Sequence, residues 1–227
     1  MTTYRRYGIY VVPEGEFYRK GAHWLGWDSA AGTVLPHPVL DGLPGPVDEM
    51  TGTPRKYGFH GTIKPPFRLA EGLSEQDLHI AATALCAQLA PVRIPALALR
   101  RLGGFVAVVP DQPSEALAHL AAEAVTGLDR FRAAPTEAEL IRRRKAGLSD
   151  RQEALLTQWG YPYVLEEFRF HLTLTGRLGS DADAVADRLS AHFAPVLPAP
   201  FTIDSLCLMG EDTDGMFHLV HRYTLSG

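Results

Sequence analysis

The chain has no asparagine, only two cysteines and only four lysines in 227 residues. The first absence removes any N-glycosylation acceptor. Cys86 falls in a predicted helix and Cys207 in a predicted strand. Isolated in this way they read as small core residues and exclude a disulfide framework or a thiolate metal cluster. The lysines stand at 20, 56, 64 and 145, so the basic residues are mostly arginine, and the net charge is −4. That balance argues against a general polyanion binder, whose affinity comes from neutralising many phosphates. A small phosphorylated partner fits it better than a long nucleic acid. No apolar run approaches the roughly 20 residues that cross a bilayer, and Arg5 and Arg6 are followed only by Tyr7 to Val12 before Pro13. This is not a secretory h-region, and a cytoplasmic location without membrane contact is expected.

What remains is ordinary for a folded chain, with 46% apolar and 21% charged residues, enough for one sizeable domain or two small lobes around a cleft. Arg6 to Val12 alternates as a strand, with Tyr7, Ile9 and Val11 toward a core and Arg6, Gly8 and Tyr10 on the other face. Residues 13 to 53 are rich in Gly and Pro; Phe17 to Gly26 reads as a short helix and Val34 to Met50 as an ordered loop. Trp24, Trp27 and Trp159 read as packing anchors.

The chemistry sits in two short segments, Tyr-Gly-Phe-His-Gly-Thr-Ile around His60 and Phe-Arg-Phe-His-Leu-Thr-Leu around His171. Side chains two apart share a strand face, so His60 points with Thr62, and His171 with Thr173. Phe59, Ile63, Phe170, Leu172 and Leu174 point the other way, into a core. The residues C-terminal to each triplet repeat as well. A helical run, an Ala-Pro-Val marker at 90–92 and again at 194–196, a strand, a glycine turn and a further strand occur in the same order. This is the pattern of a duplicated lobe. The expected organisation is a single bilobal domain over 1–227. Its lobe repeats lie at about 57–109 and 168–223, separated by a helical insertion at about 114–158 that is broken at Gly147. Each lobe is expected to hold a mainly antiparallel sheet backed by helices, an α+β architecture with both triplets facing a central cleft.

These stretches, together with Arg-Tyr-Gly-Ile-Tyr near the N-terminus and Tyr-Val-Leu-Glu-Glu-Phe before the second triplet, resemble the two-histidine (2H) phosphoesterase superfamily. The match is to the bacterial branch labelled for phosphonate metabolism, and both motifs fit without departure. The resemblance implies metal-independent hydrolysis of a small cyclic phosphodiester, with a ribosyl cyclic phosphate as one candidate and no cofactor.

The residues themselves support such chemistry. With a pKa of about 6.5, one histidine can act as neutral base while the other acts as cationic acid, though the sequence does not say which is which. Thr62 and Thr173 would donate to the non-bridging oxygens. Lys64 and Thr175, two residues beyond each threonine, and Arg169, two before His171, are further donor candidates. Tyr10, Arg6 and Tyr163 are pocket candidates. RNA 2′,3′-cyclic phosphate processing or 2′-5′ ligation would use the same four groups but needs a basic track; a non-catalytic sensor of a phosphorylated metabolite is the non-enzymatic alternative. His218 and His221 are expected on opposite strand faces, with no carboxylate or cysteine to complete a metal site. Arg142 to Lys145 offers a phosphate or RNA patch, with a solvated helix face and end as the favoured reading.

Overall fold

A computed structural model describes residues 4–227. The chain begins with strand β1 (Arg6–Val11) and helix α1 (Gly15–Leu25), then the two-residue strands β2 (Trp27–Asp28) and β3 (Thr33–Val34) and helix α2 (Val47–Arg55). Next come β4 (Gly61–Phe67), α3 (Glu75–Cys86), β5 (Val92–Ile94), β6 (Leu97–Leu102) and β7 (Phe105–Pro110). Three helices come after these, α4 (Glu115–Gly127), α5 (Glu137–Arg144) and α6 (Asp150–Trp159). The last segment holds β8 (Leu172–Thr173), α7 (Ala182–Phe193), β9 (Phe201–Ile203), β10 (Ser205–Glu211) and β11 (Phe217–Thr224).

The order β4-α3-β5-β6-β7 recurs as β8-α7-β9-β10-β11, and three helices begin with reciprocal caps. Ser74, Thr136 and Ser149 each cap a helix reciprocally with the residue three further on, which satisfies N–H groups that the first turn leaves without partners. The expected ordered loop ends in a helix, because α2 runs through Gly52 and Pro54, residues that read as breakers.

Seven strands form one antiparallel sheet in the order β11-β10-β1-β4-β8-β7-β6. The two triplet strands are neighbours at its centre and meet at a single pair, Gly61 with Leu172. A methyl group on Gly61 would lie 2.3 Å from the Phe170 ring, so the first triplet has glycine where the second has leucine because the second motif's aromatic packs there. On the other side of each triplet strand lies a different partner. β1 pairs with β4, placing Tyr10 opposite Thr62, and β7 pairs with β8, placing Ala107 opposite Thr173.

The extra strand β1 also reverses the hairpin beside it. Antiparallel pairing requires β10 rather than β11 to follow β1, whereas the corresponding hairpin presents β7, its second strand, to β8. A short ladder, Val92–Ile94 with Phe201–Ile203, ties β5 to β9. The core includes Phe59, Ile63, Phe170, Leu172 and Leu174, all buried. Two of the tryptophans lock segments onto it, Trp24 donating to the Leu174 carbonyl at 2.7 Å and Trp27 to the Phe217 carbonyl at 2.9 Å. No helix is long and apolar enough to cross a membrane among the described residues.

Candidate active site

Both triplets open into one cleft of about 470 Å³. His60, Thr62, His171 and Thr173 line it, with Arg6, Tyr10, Tyr163 and Arg169 from the sequence candidates.

The two histidines are held in the same way. His60 Nδ1 is 3.0 Å from the Gly58 carbonyl, and His171 Nδ1 is 2.7 Å from the Arg169 carbonyl, in each case the residue two before the histidine. A carbonyl only accepts, so each Nδ1 carries the proton and each Nε2 carries the lone pair. For His60 that nitrogen lies 3.0 Å from Thr62 Oγ1, and the threonine hydroxyl donates to it. The face-sharing expected of residues two apart is met here.

The environments of the two histidines differ. Tyr10 stacks on His60, with ring centroids 3.9 Å apart and planes 23° from parallel. Burial pushes His60 down to about 4, against a smaller upward pull from the Gly58 carbonyl and a further downward push from His171. His60 is therefore neutral at pH 7. Near His171 the aromatic neighbour is Phe105, 5.8 Å away and tilted. Tyr10 is fully buried, its hydroxyl has no partner among the described residues, and burial holds its pKa well above 10.

Lys64 and Thr175 fall outside this cleft, contrary to the expectation from spacing. Tyr10 pairs with Thr62 but Ile9 pairs with Lys64, so Ile63 is an extra residue in the strand. Such a bulge inverts the alternation, and Lys64 joins Ile9 on the far face. There Lys64 is 2% exposed, donates to the Val125 carbonyl in the last turn of α4 at 2.8 Å, and lies 3.5 Å from Asp129. Burial lowers its pKa to about 8, which the nearby Asp129 opposes and Arg132 reinforces. Thr175 lies beyond the end of β8, where the chain bends so that the Leu174 and Thr175 N–H groups share the Val106 carbonyl. Its hydroxyl accepts from Val106 N at 3.0 Å and donates to the Gly176 carbonyl at 2.9 Å. It lines an adjoining cavity of about 260 Å³ that shares His60 and Thr173 with the cleft.

Arg6 lies in the cleft wall, but two contacts of 2.5 and 2.6 Å to Glu211 satisfy its guanidinium. Sequence reasoning missed Tyr57, Phe105 and Tyr161, which line the cleft, as does Arg143. Arg143 comes from the run read as a solvated helix face; its guanidinium lies over the Tyr161 ring, 4.4 Å from the centroid. The helical insertion thus supplies part of the cleft wall. His218 and His221 need correcting too. A register shift in β11 pairs them with Gly210 and Leu208, which share a strand face. His218 bonds Asp212 at 2.7 Å and His221 packs on His79. Among the described residues no three His, Cys, Asp or Glu side chains gather as metal ligands.

A family model described as "Protein of unknown function (DUF1045)" matches residues 62–218. The chain belongs to the DUF1045 family. The matched span contains Thr62, His171 and Thr173 and begins two residues after His60. This DUF1045 chain is 38% identical over 218 residues to ribose 1,5-bisphosphate phosphokinase PhnN of Janthinobacterium sp. (strain Marseille), covering 92% of the chain and 48% of that protein. It is 34% identical over 213 residues to the protein of the same name from Laribacter hongkongensis (strain HLHK9), covering 92% and 49%. The chain therefore spans about half the length of the curated relatives it matches. Among solved structures it is similar to a phosphoesterase, at 15% identity over 98% of this chain and 99% of that one, with TM-score 0.48. It is also similar to E. coli LigT complexed with phosphate, at 13% identity over 99% of each chain, with TM-score 0.46. The mixed helix and antiparallel-sheet architecture expected from the sequence is the one the chain adopts.

Proposed function

We propose that this DUF1045 chain is a metal-independent phosphodiesterase that opens a small cyclic phosphodiester, a ribosyl cyclic phosphate of phosphonate metabolism. The observation that carries the reading is the paired anchoring of the histidines, which aims both Nε2 atoms into one cleft.

His60, neutral at pH 7, takes a proton from water through Nε2 as the water oxygen bonds to phosphorus. The ring P–O bond breaks on the opposite side, and the departing oxygen takes a proton from His171 Nε2–H. One water is consumed and one phosphomonoester forms; the histidines exchange protonation states and recover through solvent. The approach of an anionic ester favours the proton on His60, which suits it to the base's part. Thr173, and Thr62 once its hydroxyl turns from His60, donate to the non-bridging oxygens as their charge grows.

The kinase activity in the relatives' name is not assigned to this chain. It contains no Gly-Lys pair, so it lacks the Gly-x-x-x-x-Gly-Lys-Ser/Thr loop that cradles nucleotide phosphates. Phosphorus NMR of the protein in chelator with ribose 1,2-cyclic phosphate tests the proposal. Conversion to a monoester is expected, and it should be lost in the His60→Ala, His171→Ala double variant. Unchanged substrate with the intact protein, or undiminished turnover by the double variant, overturns it.

A further inference from the structure

The cleft carries guanidinium groups besides the four groups of the two triplets. Of its three arginines, Arg6 is neutralised by Glu211. Arg169 is exposed and donates to main-chain oxygens, those of Glu166 at 3.2 Å and Phe168 at 2.8 Å. Arg143 rests on Tyr161, and Tyr163 packs edge-on against the same ring, centroids 5.7 Å apart. Neither Arg143 nor Arg169 has a carboxylate partner among the described residues. The carboxylate in the cleft wall is Glu167, which accepts from Gln152 Nε2 at 3.0 Å. The two His-Thr pairs already supply donors for one phosphorus centre. A volume of about 470 Å³ is also in the range that takes a whole small molecule rather than one phosphate, about 300–1,000 Å³.

We infer that Arg143 and Arg169 form a second phosphate subsite, so that the substrate is a cyclic phosphodiester which also carries a separate phosphomonoester. Guanidinium groups suit the role because their planar donors match phosphate oxygens in pairs. The stacking of Arg143 on Tyr161 holds one such plane in the wall. The identity of the first phosphate rests on the proposed hydrolysis. On a ribose ring, opening such a substrate yields a ribose bisphosphate, the class of molecule in the name of the curated relatives.

The test compares ribose 1,2-cyclic phosphate with and without a 5-phosphate. Two charge-assisted contacts predict a kcat/KM preference of about 100-fold for the phosphorylated member. Arg143→Met and Arg169→Met should each reduce that ratio by about tenfold, while Arg142→Met, on the same helix but outside the cleft, keeps it. The absence of a preference in the wild-type protein, or equal losses on both substrates in the two variants, overturns the subsite. Calorimetric binding to the His60→Ala, His171→Ala protein separates this inference from the hydrolysis reading. Tighter binding of ribose 1,5-bisphosphate than of ribose 1-phosphate, with the ratio cut about tenfold by Arg143→Met, supports the subsite even where the intact protein turns over neither substrate. Equal binding of the two overturns it.

Discussion

His60 makes the fold's stability depend on pH in a defined direction. Its pKa falls from an ordinary 6.5 to about 4 in the folded protein, chiefly through burial. Between those values the unfolded chain holds a proton that the folded chain does not. The group's contribution is therefore constant above about pH 6.5, and stability is lost as pH falls toward 4. At 1.36 kcal/mol for each pKa unit, the loss approaches about 3 kcal/mol once pH is below both values. Urea unfolding of the wild-type protein and His60→Asn, in steps from pH 7.5 to 4, isolates this contribution because the carboxylates titrate in both. The wild-type curve should fall more steeply, and the gap between the proteins should change by up to about 3 kcal/mol. Parallel curves would refute the assignment of a neutral imidazole. An imidazole resonance of His60 with its titration midpoint near 6.5 would do the same.

Other substitutions separate catalytic groups from structural ones. Lys64→Met should lower stability by about 1–3 kcal/mol, because it strips the Val125 carbonyl of its donor, and leave kcat unchanged; thermal denaturation and kinetics report the two effects. Thr175→Val removes the acceptor for Val106 N and should destabilise by a similar amount, about 1–3 kcal/mol, without the selective loss of turnover expected of a phosphate ligand. Gly61→Ala drives a methyl group into Phe170 where the two triplet strands meet. It should depress both melting temperature and kcat, whereas a loss of stability alone would show that the strands' mutual position does not matter to the reaction.

Sequence periodicity brought out the two His-Thr pairs because the spacing of two holds at both, and all four side chains line one cleft although β8 is only two residues long. It failed one step further on in each copy. After Thr62 the strand carries an extra residue, and after Thr173 it ends, so neither Lys64 nor Thr175 continues the face that the triplet defines. Nothing in the local pattern marks the bulge; the pairing with β1 does. Arg143 illustrates the converse. On α5, a helix with no buried residue, it has the sequence signature of a solvated face, and only the docking of that helix beside Tyr161 brings it into the cleft. Capping partners lie three positions apart in the chain, while cleft membership depends on contacts between distant segments.

The surroundings of the two histidines differ at one corresponding position of the sheet. Tyr10 on β1 stands opposite Thr62, and Ala107 on β7 stands opposite Thr173. The two positions correspond, each on the strand flanking its triplet. One carries a ring that covers the neighbouring imidazole and the other a methyl group that cannot. The strand that breaks the regularity of the repeated order is thus the one that covers a face of the half-buried His60 ring. Tyr10→Ala should accordingly raise the His60 titration midpoint from about 4 toward its ordinary value, because it readmits water to the ring face. Tyr10→Phe should leave that midpoint in place, and it should not lower stability, since the hydroxyl it removes is buried without a partner. Histidine NMR on the three proteins decides between causes. A midpoint that moves equally in both variants would assign the effect to the hydroxyl rather than the ring, and one that moves in neither would place its origin outside β1.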